Sequence, residues 1–183
     1  MKLIQHLIKT FQNWRYLPTQ LLISKLKKSR SSEIRSYAAE ALGTVGDEHA
    51  NQPLIDALQD ANNSLRRFAI SSLGHLRNPT AIESLISFLK DHEPDIRCAT
   101  AVALGEISDS NAVEALISSA MEDSDRSVCS AAIIALGKIG DRRAIEPLNN
   151  LMKKADSEWI LRYASETLHQ IEESIKEPPP NTS

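Results

Sequence analysis

The sequence predicts an all-α protein in which short helix pairs repeat every 31–32 residues and stack side by side as an α-solenoid. Three observations predict it. One motif recurs along the chain: Tyr37-Ala-Ala-Glu-Ala-Leu-Gly43, Phe68-Ala-Ile-Ser-Ser-Leu-Gly74, Ala99-Thr-Ala-Val-Ala-Leu-Gly105 and Ala131-Ala-Ile-Ile-Ala-Leu-Gly137. A fifth copy, Tyr163-Ala-Ser-Glu-Thr-Leu168, meets His169 where glycine would fall. Two leucine columns keep one period: Leu42, Leu73, Leu104, Leu136 and Leu168, then Leu22, Leu54, Leu85, Leu116 and Leu148. Within a unit the apolar spacing is helical, as in Ile34, Ala38, Ala41, Leu42 and Val45, which share one helix face.

Composition agrees with this reading. The chain has 183 residues, 42% apolar and 25% charged, enough apolar content for a core. Only 6 glycines are present, too few for the turns of a β-sandwich. No apolar run approaches the roughly 18 residues of a membrane-spanning helix. Two cysteines without a secretory signal point to a reducing, cytoplasmic setting.

Taken in order, residues 1–16 read as an N-terminal amphipathic capping helix, with Leu3, Ile4, Leu7, Ile8 and Phe11 as its apolar stripe. Residues 1–32 hold seven basic side chains and no acidic one, whereas the remainder carries a net −10. A membrane surface is the alternative partner for residues 1–15. Residues 17–175 form the repeat array, about four full repeats with capping half-repeats. Ser31, Asn62 and Asp125 occupy an N-cap column for the first helices, and Glu93 followed by Pro94 takes that place once. Asp47, Asn78, Asp109 and Asp141 are expected to cap the second helices, with Pro53 and Pro147 in their first turns. Glycines 43, 74, 105 and 137 return to one helical position, where each costs about 1 kcal/mol against alanine. A Cβ there would collide with a neighbouring helix. Arg35, Arg66 and Arg97 form a further column, read as a ladder to turn aspartates of adjacent units and interrupted by Cys129 and Leu161. A longer closing helix is expected over about residues 157–175, with Trp159 (like Trp14 at the other end) in cap packing, and residues 176–183 read as a disordered Pro-rich tail.

The pattern Arg-x-x-Ala-x-x-Ala-Leu-Gly-x-Ile-Gly-Asp…Ala-x-x-Pro-Leu-x-x-Leu resembles the short HEAT-like repeat named after phycobilisome (bilin) lyases, over residues 17 to about 172. The resemblance implies a right-handed superhelix of antiparallel helix pairs, the first helix of each pair on the convex side and the second lining the concave side.

Chemistry-bearing motifs are missing from the sequence. There is no phosphate loop, nucleophile elbow or dinucleotide fingerprint. Cys98 and Cys129 lack zinc-site spacing and read as small apolar filling. A di-iron centre like that of deoxyhypusine hydroxylase needs several His-Glu pairs, and only His92-Glu93 is present. The second helices instead offer two polar rows: Gln52, Glu83, Glu114 and Glu146 two residues before the leucine, and Asp56, Ser87, Ser118 and Asn150 two residues after it. These eight residues are the candidate partner-binding face, and no catalytic or metal-binding residue is assigned. An acidic groove disfavours nucleic acid. The function read from this is a non-catalytic protein-interaction scaffold or chaperone-like adaptor, without a cofactor. The alternative, implied by the resemblance, is a bilin (phycocyanobilin) lyase subunit or a phycobilisome assembly or degradation accessory, with a linear tetrapyrrole bound transiently. The resemblance names a phycobiliprotein or a second HEAT-like subunit as the protein partner.

Overall fold

The structure, a computed structural model, describes residues 18–176. The N-terminal capping helix expected over residues 1–16, Trp14 and tail residues 177–183 lie outside the described residues. Lys176, placed in the tail from sequence, is the last residue of the closing helix.

The described residues are helical, with no strand. The chain divides into two compact units, Met1–Ser84 and Leu85–Ser183. The first contains α1 (Thr19–Lys28), α2 (Ser32–Val45), α3 (Asn51–Ala57) and α4 (Asn63–His75). The division falls inside α5 (Ile82–Phe88). The second contains α6 (Pro94–Ile107), α7 (Val113–Glu122), α8 (Arg126–Ile139), α9 (Ile145–Lys154) and α10 (Glu158–Lys176). First helices run 13–14 residues and second helices 7–10. Helices this short are marginal alone, so their stability comes from stacking.

Local signals set where each first helix begins. Ser31 Oγ accepts from the Ile34 amide, Asn62 Oδ1 from Leu65 and Asp125 Oδ1 from Ser127 and Val128. Before α6, Glu93 makes no side-chain cap and Pro94 simply removes one orphan donor. At the other ends, Gly46 and Gly140 take the left-handed conformation at φ 76° and 73°. Ser108 and Arg77 stand in the same column and adopt φ 59° and 49° without being glycine.

In the first unit α1 packs on α2, α2 on α4 and α3 on α4; in the second α6 packs on α8, α7 on α8, and α10 on both α8 and α9. Both leucine columns are core: Leu42, Leu73, Leu104, Leu22, Leu54, Leu85 and Leu116 are fully buried, Leu136 and Leu148 nearly so. Within each unit neighbouring first helices run parallel in close contact. Between α6 and α8, Cys98 Sγ lies 3.8 Å from the Ser127 carbonyl and Ser108 Oγ donates to the Lys138 carbonyl at 3.0 Å, so both ends keep one register.

The repeated glycine sits at that contact. A Cβ on Gly43 would lie 2.7 Å from the Ser72 Cα, and one on Gly105 2.8 Å from the Ala135 Cα. At Gly137 it would meet the Gln170 side-chain oxygen at 2.7 Å and the Thr167 methyl at 3.2 Å. Backbone cannot step aside as a glutamine tip can. Gly105→Ala is therefore expected to lower stability by about 1–3 kcal/mol through overpacking, although alanine is the better helix former. Gly137→Ala should cost clearly less, and urea denaturation of the two variants checks the order. Leu104→Ala should cost about 2–5 kcal/mol through the cavity it leaves, more than the same change at Leu168, which is 9% exposed.

Candidate functional site

The second helices do not start where the sequence places their caps. Asp47, Asn78, Asp109 and Asp141 accept from the amide two residues on, at 2.8–3.0 Å, and so cap a one-turn 3-10 segment instead. The short Asx side chain reaches the i+2 amide, which closes the tight turn before the α-helix begins. Each 3-10 turn ends on a fully buried alanine, Ala50, Ala81, Ala112 or Ala144, which anchors the helix that follows.

Residues two before and two after a buried leucine are four apart, on one helix face and turned away from it. The structure places the candidate residues accordingly. In the first unit Gln52, Asp56 and Glu83 are exposed. Gln52 Nε2 donates to Asp56 Oδ1 at 2.9 Å, and Lys27 from α1 approaches Asp56 at 3.5 Å. Asp56 and Lys27 rim an open groove of about 410 Å³. In the second unit Ser87, Glu114 and Glu146 are exposed, and Ser118 and Asn150 half-buried. Ser118 Oγ donates to Glu122 at 3.0 Å. Arg143 reaches across to α7, within 3.5 Å of Glu114, donates to the Ser110 carbonyl at 2.7 Å and grips Asp141. Asp56 in the first unit thus has Lys27 beside it and Glu114 in the second has Arg143, two cations that sequence reasoning missed. Both lie outside the −2 and +2 columns, and only tertiary packing brings them in.

The arginine column stands in the first turn of the first helices. Arg35 pairs with Asp60 at 3.1 Å. Arg97 forks onto Asp123, Nε to Oδ2 at 2.7 Å and Nη2 to Oδ1 at 2.8 Å, with both side chains nearly buried. Each column member also donates to the carbonyl six residues back: Arg35 to Ser29, Arg66 to Asp60 and Arg97 to Asp91. Cys129, expected as apolar filling, instead keeps this bond, its Sγ donating to the Asp123 carbonyl at 3.1 Å. Both thiols are free and half-buried, and burial, then nearby aspartates, raises their pKa values. They are poor nucleophiles.

Several turn carboxylates are held below their ordinary range. The Thr19 hydroxyl, followed by the His49 amide and ring, pulls Asp47 down to about 2. Arg97 lowers Asp123, and Arg143 lowers Asp141. Burial pushes Asp60 up, but the Asn62 amide and Arg35 together outweigh it. His49 is raised by Asp47, 2.7 Å away. His92 and Glu93 are exposed in the turn before α6. Among the described residues no group of three or more His, Cys, Asp and Glu is placed to hold a metal ion.

Parallel first helices locked by glycine, paired second helices displaying polar residues, and turns pinned by aspartate define a helical-repeat protein of the α-solenoid class. HEAT repeats match residues 19–97 and 82–169, and the chain belongs to the HEAT-repeat family. No curated protein matches it. Among solved structures it is similar to the complex of CpcE and CpcF of phycocyanin lyase from Nostoc sp. PCC7120, with 29% identity and a TM-score of 0.73, covering 86% of this chain and 66% of that one. The chain thus spans just under two thirds of that relative. A designed armadillo repeat protein in complex with the peptide (KR)4 (18% identity, TM-score 0.63, 82% and 80% covered) shares the fold. So does human deoxyhypusine hydroxylase in complex with glycerol (17% identity, TM-score 0.58, 85% and 74% covered). No helix of the described residues is long and apolar enough to cross a membrane.

The lowered carboxylates set the response to acid. A depressed folded pKa contributes stability above the unfolded value, near 3.8, that is lost as pH falls through the folded value, about 2 for Asp47. Stability should therefore decline below about pH 4. Arg97→Ala should cost about 2–4 kcal/mol at neutral pH, because it strands a nearly buried carboxylate. The penalty should shrink as Asp123 protonates, which urea midpoints at pH 7 and pH 3 would reveal.

Proposed function

We propose that the chain is a non-catalytic protein-binding scaffold whose second helices receive a basic or hydrogen-bonding segment of a partner. The observation that carries this is the exposure of Gln52, Asp56 and Glu83 in the first unit and of Ser87, Glu114 and Glu146 in the second, with Ser118 and Asn150 at the margin. Each sits opposite a leucine that is already buried, so the leucine core is filled without it. The surface ion pairs there, Lys27–Asp56 and Arg143–Glu114, are long and exposed, worth about 0–1 kcal/mol each, and exchange readily for a partner's charges. Within the second unit, Glu114→Lys with Glu146→Lys should leave helicity intact and reduce capture of a basic partner peptide at least about tenfold. Unchanged capture, read by fluorescence anisotropy, would move the site elsewhere.

The similarity to the phycocyanin lyase complex supports a second reading, a bilin lyase subunit or phycobilisome accessory whose partner is a phycobiliprotein or a second HEAT-like subunit, with the attachment cysteine supplied by the target phycobiliprotein. Both thiols of this chain turn to backbone carbonyls and burial raises their pKa values, which fits a role as holder rather than acceptor of pigment. Titration with phycocyanobilin should then shift its visible absorption reversibly. An unchanged spectrum, both alone and with phycocyanin α and β chains present, would remove this reading.

A further inference from the structure

The repeat supplies its own control for which exposed residues the fold requires. Two positions before each first-helix leucine the column reads Glu40, Ser71, Val102, Ile134 and Glu166. Polar residues satisfy it three times, so nothing in the helix or its packing asks for an apolar side chain. Yet Val102 and Ile134 fill it on α6 and α8 and are 42% and 41% exposed. They border a groove of about 220 Å³ between these helices, floored by the small side chains of Cys98, Ala131 and Ala135.

The groove is charged oppositely at its two ends. Lys138 closes one end. At the other, Asp95 and Asp125 lie close enough to Cys98 that their charge, after burial, raises the thiol pKa. Because α6 and α8 run parallel, both carboxylates fall at the start of the helices and the ammonium near their finish. A uniformly acidic or basic segment laid along the groove would meet like charge at one end. A groove that is acidic, apolar and then basic is complementary to itself after a half-turn.

We propose that the chain pairs with a second copy of itself across this groove, by an antiparallel two-fold contact that sets Val102 and Ile134 against their counterparts and Lys138 beside the partner's Asp95. The contact uses first helices and leaves the second-helix polar residues free, so it stands apart from the proposed partner site.

Sedimentation equilibrium of the full chain over two decades of concentration tests it, with a reversible monomer–dimer equilibrium expected. Val102→Glu and Ile134→Ser install what other repeats carry, so helicity should hold while the dissociation constant rises about tenfold or more. Lys138→Glu and Asp95→Lys should each weaken pairing, and their combination should recover it. Glu114→Lys with Glu146→Lys should leave pairing unchanged. A monomer at every concentration, a dimer indifferent to both Val102→Glu and Ile134→Ser, or a combined charge swap that fails to recover would overturn the proposal.

Discussion

Backbone-to-backbone approach of neighbouring first helices is the constraint on which the architecture rests. Gly43 lies against the Ser72 backbone and Gly105 against the Ala135 backbone, whereas Gly137 faces the side chains of Gln170 and Thr167. Where the facing residue carries a hydroxyl, the approach is close enough for a hydrogen bond between helices: Ser72 donates to the Ala39 carbonyl at 2.8 Å and Thr167 to the Ile133 carbonyl at 3.2 Å. Each accepting carbonyl lies four residues before its glycine, so it also serves the glycine amide in the helix and shares its second lone pair. With that spacing set, a leucine on each side fills the gap to the second helix, and one period of 31–32 residues repeats the geometry.

The arginine column solves a different problem at the opposite end of the first helices. Each column arginine donates to a carbonyl of the loop before its own helix, and Arg35 and Arg97 also reach an aspartate of the following loop, Asp60 and Asp123. Arg97 shows the full arrangement, two bonds to Asp123 and one each to the Asp91 and His92 carbonyls. Cys129 shows what survives when the side chain shortens: the carbonyl bond remains and the carboxylate reach is lost. Trp159 then closes the loop region from outside, under the Arg126 guanidinium at 4.9 Å and edge-on to Tyr163.

The repeat made the buried half of the molecule legible in the sequence. Two leucine columns and a glycine column each recur four or five times and a side-chain N-cap three times, and a residue type that recurs at one helical position reports a spatial constraint. The 3-10 turns were not legible, because an aspartate two residues before an amide and one three residues before it look alike in sequence. Cys129 was misread for a related reason: composition says small and apolar, while its neighbours make it a donor. The candidate site was legible only as a face. That Glu114 lies beside Arg143 and Asp56 beside Lys27 depends on how consecutive elements pack, which no column records.

The same helices that display the polar residues also lock the core, and this ties recognition to stability. In α7, Glu114 and Ser118 flank Leu116, which is fully buried; in α9, Glu146 and Asn150 flank Leu148, which is almost so. A helix of 10 residues has little stability of its own, so holding its outer face also holds its leucine in place. A partner that grips these side chains binds the stacked state and not the unfolded one, and mass action then favours stacking in proportion to its affinity. The route runs through the packing of α7 on α8 and of α9 on α10. Recognition on the outer face and order in the core are thus two readings of one short helix.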